Sequence, residues 1–141
     1  MTTADTNRQV VEGFWQDLYR QDFAAVVARF DPKGQYTDVV TPDDDVATGA
    51  QEITARLTLA FGKLSGLRDE RLHLVAGEDT VMTEHIEHWS WPTGESMALW
   101  VASVHELRGG RITMWRDYWD MNVLTNSAPQ WWFEHVMQGW K

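Results

Sequence analysis

The chain contains no cysteine, which excludes disulfides, thiol nucleophiles and cysteine–zinc centres. No apolar run approaches the roughly 18 residues that span a bilayer. The first residues also lack the basic-then-apolar order of a secretory leader. Positive charge is scarce: 12 Lys and Arg stand against 21 Asp and Glu, a formal net charge of −9. That balance argues against nucleic acid and anionic membrane surfaces as partners. Internal repeats, linkers and low-complexity segments are absent as well. A single domain over residues 1–141, in the cytoplasm, is the expectation.

Tryptophan is abundant instead. Nine Trp in 141 residues is far above ordinary usage. Large rigid aromatics suit a cavity for a flat or bulky apolar ligand, or an oligomer interface, with a homodimer expected.

Apolar residues at Val10, Val11, Phe14, Trp15, Leu18 and Tyr19 recur three and four apart and predict an amphipathic helix starting after Thr6-Asn7. Gln21-Asp22 ends it, and Asp22 can cap a short second helix carrying Phe23, Val26, Val27 and Phe30. Asp31-Pro32-Lys33-Gly34 reads as a turn before a short strand that puts Tyr36 and Asp38 on one face. The acidic loop Asp43-Asp44-Asp45 reads as solvated, with a hard cation as the alternative. A third helix is predicted from about Ala50 to Leu64.

After Gly66 the texture changes to strands: Arg71–Ala76, Thr80–Trp91, Met97–Leu107 and Arg111–Val123, joined by Gly-rich connectors suited to hairpins. Residues 130–141 then predict a short aromatic helix whose stripe is Trp132, Phe133, Val136, Met137 and Trp140. The tail is expected to hold its shape by docking on the body, near a pocket mouth, or on a second subunit. Three N-terminal helices packed on a curved antiparallel sheet, plus a short C-terminal helix, make an α+β fold.

The chemistry concentrates on two stretches. In Arg111–Asp120, strand alternation puts Trp115, Asp117 and Trp119 on one face and Met114, Arg116 and Tyr118 on the other. A carboxylate between two indoles in a cavity has a shifted pKa, as acid–base catalysis requires. On the second long strand Thr83, His85, Glu87, Trp89 and Trp91 share one face, while Met82, Glu84, Ile86 and His88 share the other. Both faces mix polar and apolar residues, so alternation leaves open which one is inside.

The layout resembles the cone-shaped fold of the nuclear transport factor 2-like superfamily, which includes ketosteroid isomerase, scytalone dehydratase and the SnoaL-like polyketide cyclases. Thr83-Glu84-His85-Ile86-Glu87 and Trp115-Arg116-Asp117-Tyr118-Trp119-Asp120 resemble the two motifs of limonene-1,2-epoxide hydrolase. The resemblance implies a cofactor-independent and metal-free enzyme that opens an epoxide on a small terpene- or polyketide-like substrate. Asp117 is then the general base, Glu87 the general acid and His85 the bridge between them, while Tyr36 and Asp38 orient the nucleophile. Phe14, Trp89, Trp100, Trp115 and Trp119 are expected to hold the substrate.

Three of these positions depart from the family. His85 stands for its bridging arginine, Glu87 for an aspartate and Asp38 for a water-holding asparagine. Isomerisation, dehydration or cyclisation with Asp38 or His85 as base is therefore the alternative, and a non-catalytic ligand-binding domain is a third reading. His73, His88, His105 and His135 match nothing in these motifs and read as surface or incidental residues.

Overall fold

Thr2 starts the first helix. Its hydroxyl accepts the Asp5 amide, and the Asp5 carboxylate accepts the Thr2 amide in return. In the computed structural model, which describes Met1–Lys141, this helix (α1, Thr3–Tyr19) buries Val11, Phe14, Trp15 and Leu18, as their spacing predicts. It begins before the expected Thr6-Asn7 because this reciprocal cap is available upstream. Gln21 then turns the chain in the left-handed region, at φ 58°, and its side-chain amide donates to the Phe61 carbonyl. Asp22 caps α2 (Phe23–Val27) by accepting the Ala25 amide.

The strand β1 (Phe30–Asp38) absorbs the predicted turn at Asp31–Gly34 as an irregularity in its pairing. Gly34 is needed there, because a Cβ would stand 2.8 Å from the Phe30 ring and 2.9 Å from the Ile112 carbonyl. After β2 (Ala47–Thr48) and α3 (Gly49–Phe61) come the four long strands β3 (Gly66–Ala76), β4 (Thr80–Ser90), β5 (Ser96–Arg108) and β6 (Arg111–Tyr118).

Together they form one six-stranded sheet in the order β2-β1-β6-β5-β4-β3. The run from β3 to β6 is the expected antiparallel meander. However, β1 joins β6 in parallel, with Tyr36 beside Trp115 and Asp38 beside Asp117. The expected antiparallel sheet thus gains one parallel pairing at β1. A hairpin cannot make this contact, because α3 and the meander intervene and the chain returns by a crossover. Helices and sheet meet in one apolar core that includes Phe14, Trp15, Leu57, Trp89 and Trp115.

The last predicted strand was drawn to Val123, yet β6 stops at Tyr118. The Asp120 carboxylate accepts the Asn122 amide and starts α4 (Met121–Ser127) instead. The predicted tail helix is α5 (Gln130–Val136). Its Trp132 is buried against Trp89 and Trp91, and the Trp132 indole donates to the Ala60 carbonyl. Met137, expected on the buried stripe, lies past the helix end and is 83% exposed. Asp45, expected to be solvated, accepts the Trp140 indole at 2.8 Å. The tail therefore closes on its own chain. No helix is long and apolar enough to cross a membrane.

Candidate active site

Four neighbouring strands bring polar side chains into line across the interior: Asp69 on β3, His85 on β4, Ser103 on β5 and Asp117 on β6. Strand register sets their alignment. Ser103 pairs directly with Asp117, while His85 pairs with Val101, one pleat from Ser103. The face of β4 that alternation left undecided is settled here, with Thr83, His85, Glu87 and Trp89 buried. His85, Glu87, Ser103 and Asp117 are each at most 7% exposed.

Hydrogen bonds link these groups across the sheet. The Ser103 hydroxyl donates to Asp117 Oδ1 at 2.6 Å, and the Trp115 indole donates to the same oxygen at 2.6 Å. His85 Nε2 lies 3.2 Å from Ser103 Oγ. On its other side, His85 Nδ1 is 2.9 Å from the Tyr19 hydroxyl and 3.2 Å from Asp69 Oδ1. Tyr19 donates to Glu87 Oε2 at 2.9 Å, and the Trp89 indole donates to Glu87 Oε1 at 3.2 Å. The two carboxyl groups expected to act as acid and base are thus joined by Tyr19, His85 and Ser103.

A second cluster adjoins Asp117. Tyr36, stacked on the Trp115 ring at 3.7 Å, donates its hydroxyl to Asp38 Oδ2 at 3.0 Å. The Trp119 indole donates to Asp38 Oδ1 at 2.9 Å, and the Arg56 guanidinium pairs with Asp38 Oδ2 at 3.0 Å. Arg56 also pairs with Asp45 and lies over the Tyr36 ring.

The charges are unevenly compensated. Asp38 has Arg56, and Asp69 has Arg71 at 3.7 Å. Neither Glu87 nor Asp117 has a Lys or Arg in ion-pair contact. Burial raises Glu87 above the usual carboxylate range, against the opposing influence of His85 and of hydrogen bonds from Trp89 and Tyr19. Burial raises Asp117 further, and the neighbouring carboxylates of Asp38 and Glu87 add to it. Two raised carboxyls in contact with the same network hold a proton more readily than free carboxylates do. Burial also raises the Tyr19 and Tyr36 hydroxyls well above the ordinary phenol value, so both stay protonated donors.

The predicted polar residues Asp117, Glu87, His85, Tyr36 and Asp38 come together in this one interior. The predicted substrate-holding residues divide. Trp89, Trp115 and Trp119 each donate an indole N–H to one of its carboxylates. Phe14 belongs to the packed core, edge-on to Trp115 at 4.6 Å. Trp100 contradicts expectation: it is 60% exposed, because alternation along β5 turns Leu99, Val101 and Ser103 inward and Trp100 out. Two surface clefts lie elsewhere, one near Glu78, Glu106 and Arg108, the other near Val10, Arg29 and Arg111.

His105, read as incidental, is fully buried beneath the network, stacked on Trp115 and edge-on to Phe14. Tyr19, Arg56, Asp69 and Ser103 went unremarked as site residues. The available signals were a phenol on an apolar helix stripe and an arginine between Ile53 and Leu57. For Ser103 the signal was a serine alternating with Val101 and His105 along a strand.

A curved sheet and helices around buried carboxylates give an α+β fold like that of solved nuclear transport factor 2-like proteins. Within that class, the chain belongs to the limonene-1,2-epoxide hydrolase family, whose catalytic-domain model matches residues 5–130. Solved structures agree on the fold. An LEH-like epoxide hydrolase of M. tuberculosis superposes with a TM-score of 0.72 at 24% identity, covering 96% of this chain and 92% of that one. Bal32a, from a soil-derived mobile gene cassette, gives 0.76 at 18% identity, covering 89% and 98%. A putative SnoaL-like polyketide cyclase from Shewanella denitrificans OS-217 gives 0.75 at 14% identity, covering 85% and 94%.

Proposed function

We propose that this protein opens an epoxide on a small apolar substrate by carboxylate acid–base catalysis. One observation carries the reading: Glu87 and Asp117 are both buried, both hydrogen-bonded, and joined through a histidine with no permanent cation beside either. Asp117 takes a proton from the attacking water, its ionised form favoured against burial and its carboxylate neighbours by the hydrogen bonds that Ser103 and Trp115 donate to Oδ1. Glu87, whose carboxyl burial raises, gives a proton to the epoxide oxygen as the C–O bond breaks. Tyr36 and Asp38, next to Asp117 in the parallel β1–β6 register, orient the water.

Isomerisation or cyclisation with Asp38 as base is less favoured, since Asp38 already accepts from Tyr36, Trp119 and Arg56. A purely binding role is opposed by the desolvation cost of the enclosed carboxyls. For the expected homodimer we propose the outer face of the sheet, on the support of its exposed Val75, Met82 and Trp100.

The test is a panel of terpene epoxides run in ¹⁸O-labelled water. Label in a diol is the expected product, and Asp117→Asn and Glu87→Gln should each lower turnover at least about a hundredfold while the protein stays folded. An unlabelled cyclic ether or alkene, or near wild-type turnover by either variant, would end this assignment.

A further inference from the structure

In this chain the link between the two working carboxyls is built differently from a fixed cation. An arginine in the position of His85 would hold both partners by charge but would never release a proton. What stands here is Glu87, Tyr19, His85, Ser103 and Asp117 in unbroken hydrogen-bond sequence, at 2.9, 2.9, 3.2 and 2.6 Å. Each interior member can both donate and accept: two hydroxyls and an imidazole with one nitrogen facing each way. Neither hydroxyl has another evident task. Ser103 is wholly buried, and Tyr19 spans from α1 to bond both His85 and Glu87.

We propose that Tyr19, His85 and Ser103 form a proton relay that returns the proton from Asp117 to Glu87 after each turnover. The proposal rests on the acid and base roles given above. Ring opening leaves Asp117 with the proton taken from water and Glu87 without the one it gave to the alkoxide oxygen. In that state the chain is polarised one way. Asp117 donates to Ser103, Ser103 to His85 Nε2, His85 Nδ1–H to Tyr19, and Tyr19 to the Glu87 carboxylate.

Moving each proton along its own hydrogen bond resets the site. Asp117 becomes ionised, Ser103 and Tyr19 remain neutral hydroxyls, His85 exchanges its Nδ1–H tautomer for Nε2–H, and Glu87 is protonated. One proton is carried in net terms, no oxidant or further reactant enters, and no bulk water is needed inside an enclosed site. Asp69, 3.2 Å from His85 Nδ1 and paired with Arg71, steadies any transient imidazolium. The other titratable groups facing His85 are Glu87, Tyr19 and the buried His105, whose pKa of about 3 keeps it uncharged. Tyr19, His85 and Ser103 are positioning residues in this scheme, because none need touch the substrate.

Two measurements test it. The first needs no substrate: ¹⁵N NMR of the His85 ring in the intact protein. A relay requires at least one unprotonated ring nitrogen across about pH 6 to 8. A doubly protonated imidazolium throughout that range would make His85 a static cation and overturn the proposal, whatever reaction the protein performs. The second compares the first turnover with the steady state on whichever epoxide yields a diol. Ser103→Ala and Tyr19→Phe should each show a burst of one product equivalent, followed by a steady rate at least about tenfold below the first-turnover rate. Small diffusible acids such as imidazole should restore that steady rate, and Ser103→Thr should keep the wild-type ratio. Equal loss in both phases, with no burst and no buffer rescue, would mean that these residues only hold the carboxyls in place. A neutral His85 in a protein yielding no diol would sink the epoxide reading and leave the relay standing. An imidazolium in a protein yielding labelled diol would do the reverse.

Discussion

His105 should make this protein acid-sensitive, and replacing it should remove that sensitivity. The ring is fully buried, neither nitrogen has a hydrogen-bond partner, and burial, with nearby His85, lowers its pKa from 6.5 to about 3. A depressed pKa means that the unfolded chain binds the proton and the folded chain refuses it. The stabilisation is therefore complete above the unfolded value of 6.5 and is lost as pH falls toward 3. Each pH unit below 6.5 costs about 1.4 kcal/mol, so moving from pH 8 to pH 5 costs roughly 2 kcal/mol from this residue. For a chain of 141 residues that is a fall in Tm of roughly 5 to 10 °C. His105→Leu keeps most of the contact with Phe14 and Trp115 and titrates nothing. Calorimetric Tm of wild type and variant, measured between pH 8 and 5, should show the variant falling less by that amount. Glu87 and Asp117, whose carboxyls are raised, oppose the trend by losing stability as pH rises, and the comparison of the two proteins cancels them. Parallel Tm–pH curves would refute the reasoning.

Arg56→Met leaves Asp38 and Asp45 without their shared partner and should cost about 3 kcal/mol in urea unfolding. Trp132→Ala opens a hole beside Trp89 and Trp91 and should cost about 3 to 5 kcal/mol, again read from denaturant midpoints. Deleting residues 130–141 removes the Trp132, Trp140 and Lys141 contacts with Ala60, Asp45 and Asp44 and should lower the urea midpoint. Trp100→Glu, on the outer face of β5, should shift any dimer to monomer in light scattering.

The helices and the meander were legible because their signals are local: three- and four-residue spacing in α1 and α3, alternation bounded by glycine turns in β3 to β6. Asp117 was legible because its two indole neighbours share its face at the strand period. The parallel β1–β6 pairing was not, since nothing local in Tyr36–Asp38 says which strand will lie beside it. Asp120 misled for a related reason: the aromatic pattern continues past Tyr118, while a cap for α4 depends on one carboxylate reaching an amide two residues on. Tyr19 shows a further limit. Periodicity ranks it with the apolar stripe of α1, and only the packed structure reveals that its hydroxyl reaches His85 and Glu87 on β4. His105 failed in the opposite sense, for a titratable side chain with no polar partner looks like surface until its neighbours are known.

The parallel joint between β1 and β6 also divides the site in time. Asp69, His85, Ser103 and Asp117 are brought together by successive hairpins, each closing a short loop. Tyr36 and Asp38 meet Trp115 and Asp117 only when a segment spanning α3 and four strands has been closed. Loops of that length close late, because their entropy must be lost before any contact rewards it. During refolding the carboxyl network should therefore form while the Tyr36–Asp38–Arg56 corner is still open to water. The Trp115 indole, already bonded to Asp117 but not yet stacked on Tyr36, would report the interval between the two events as a separate fluorescence phase.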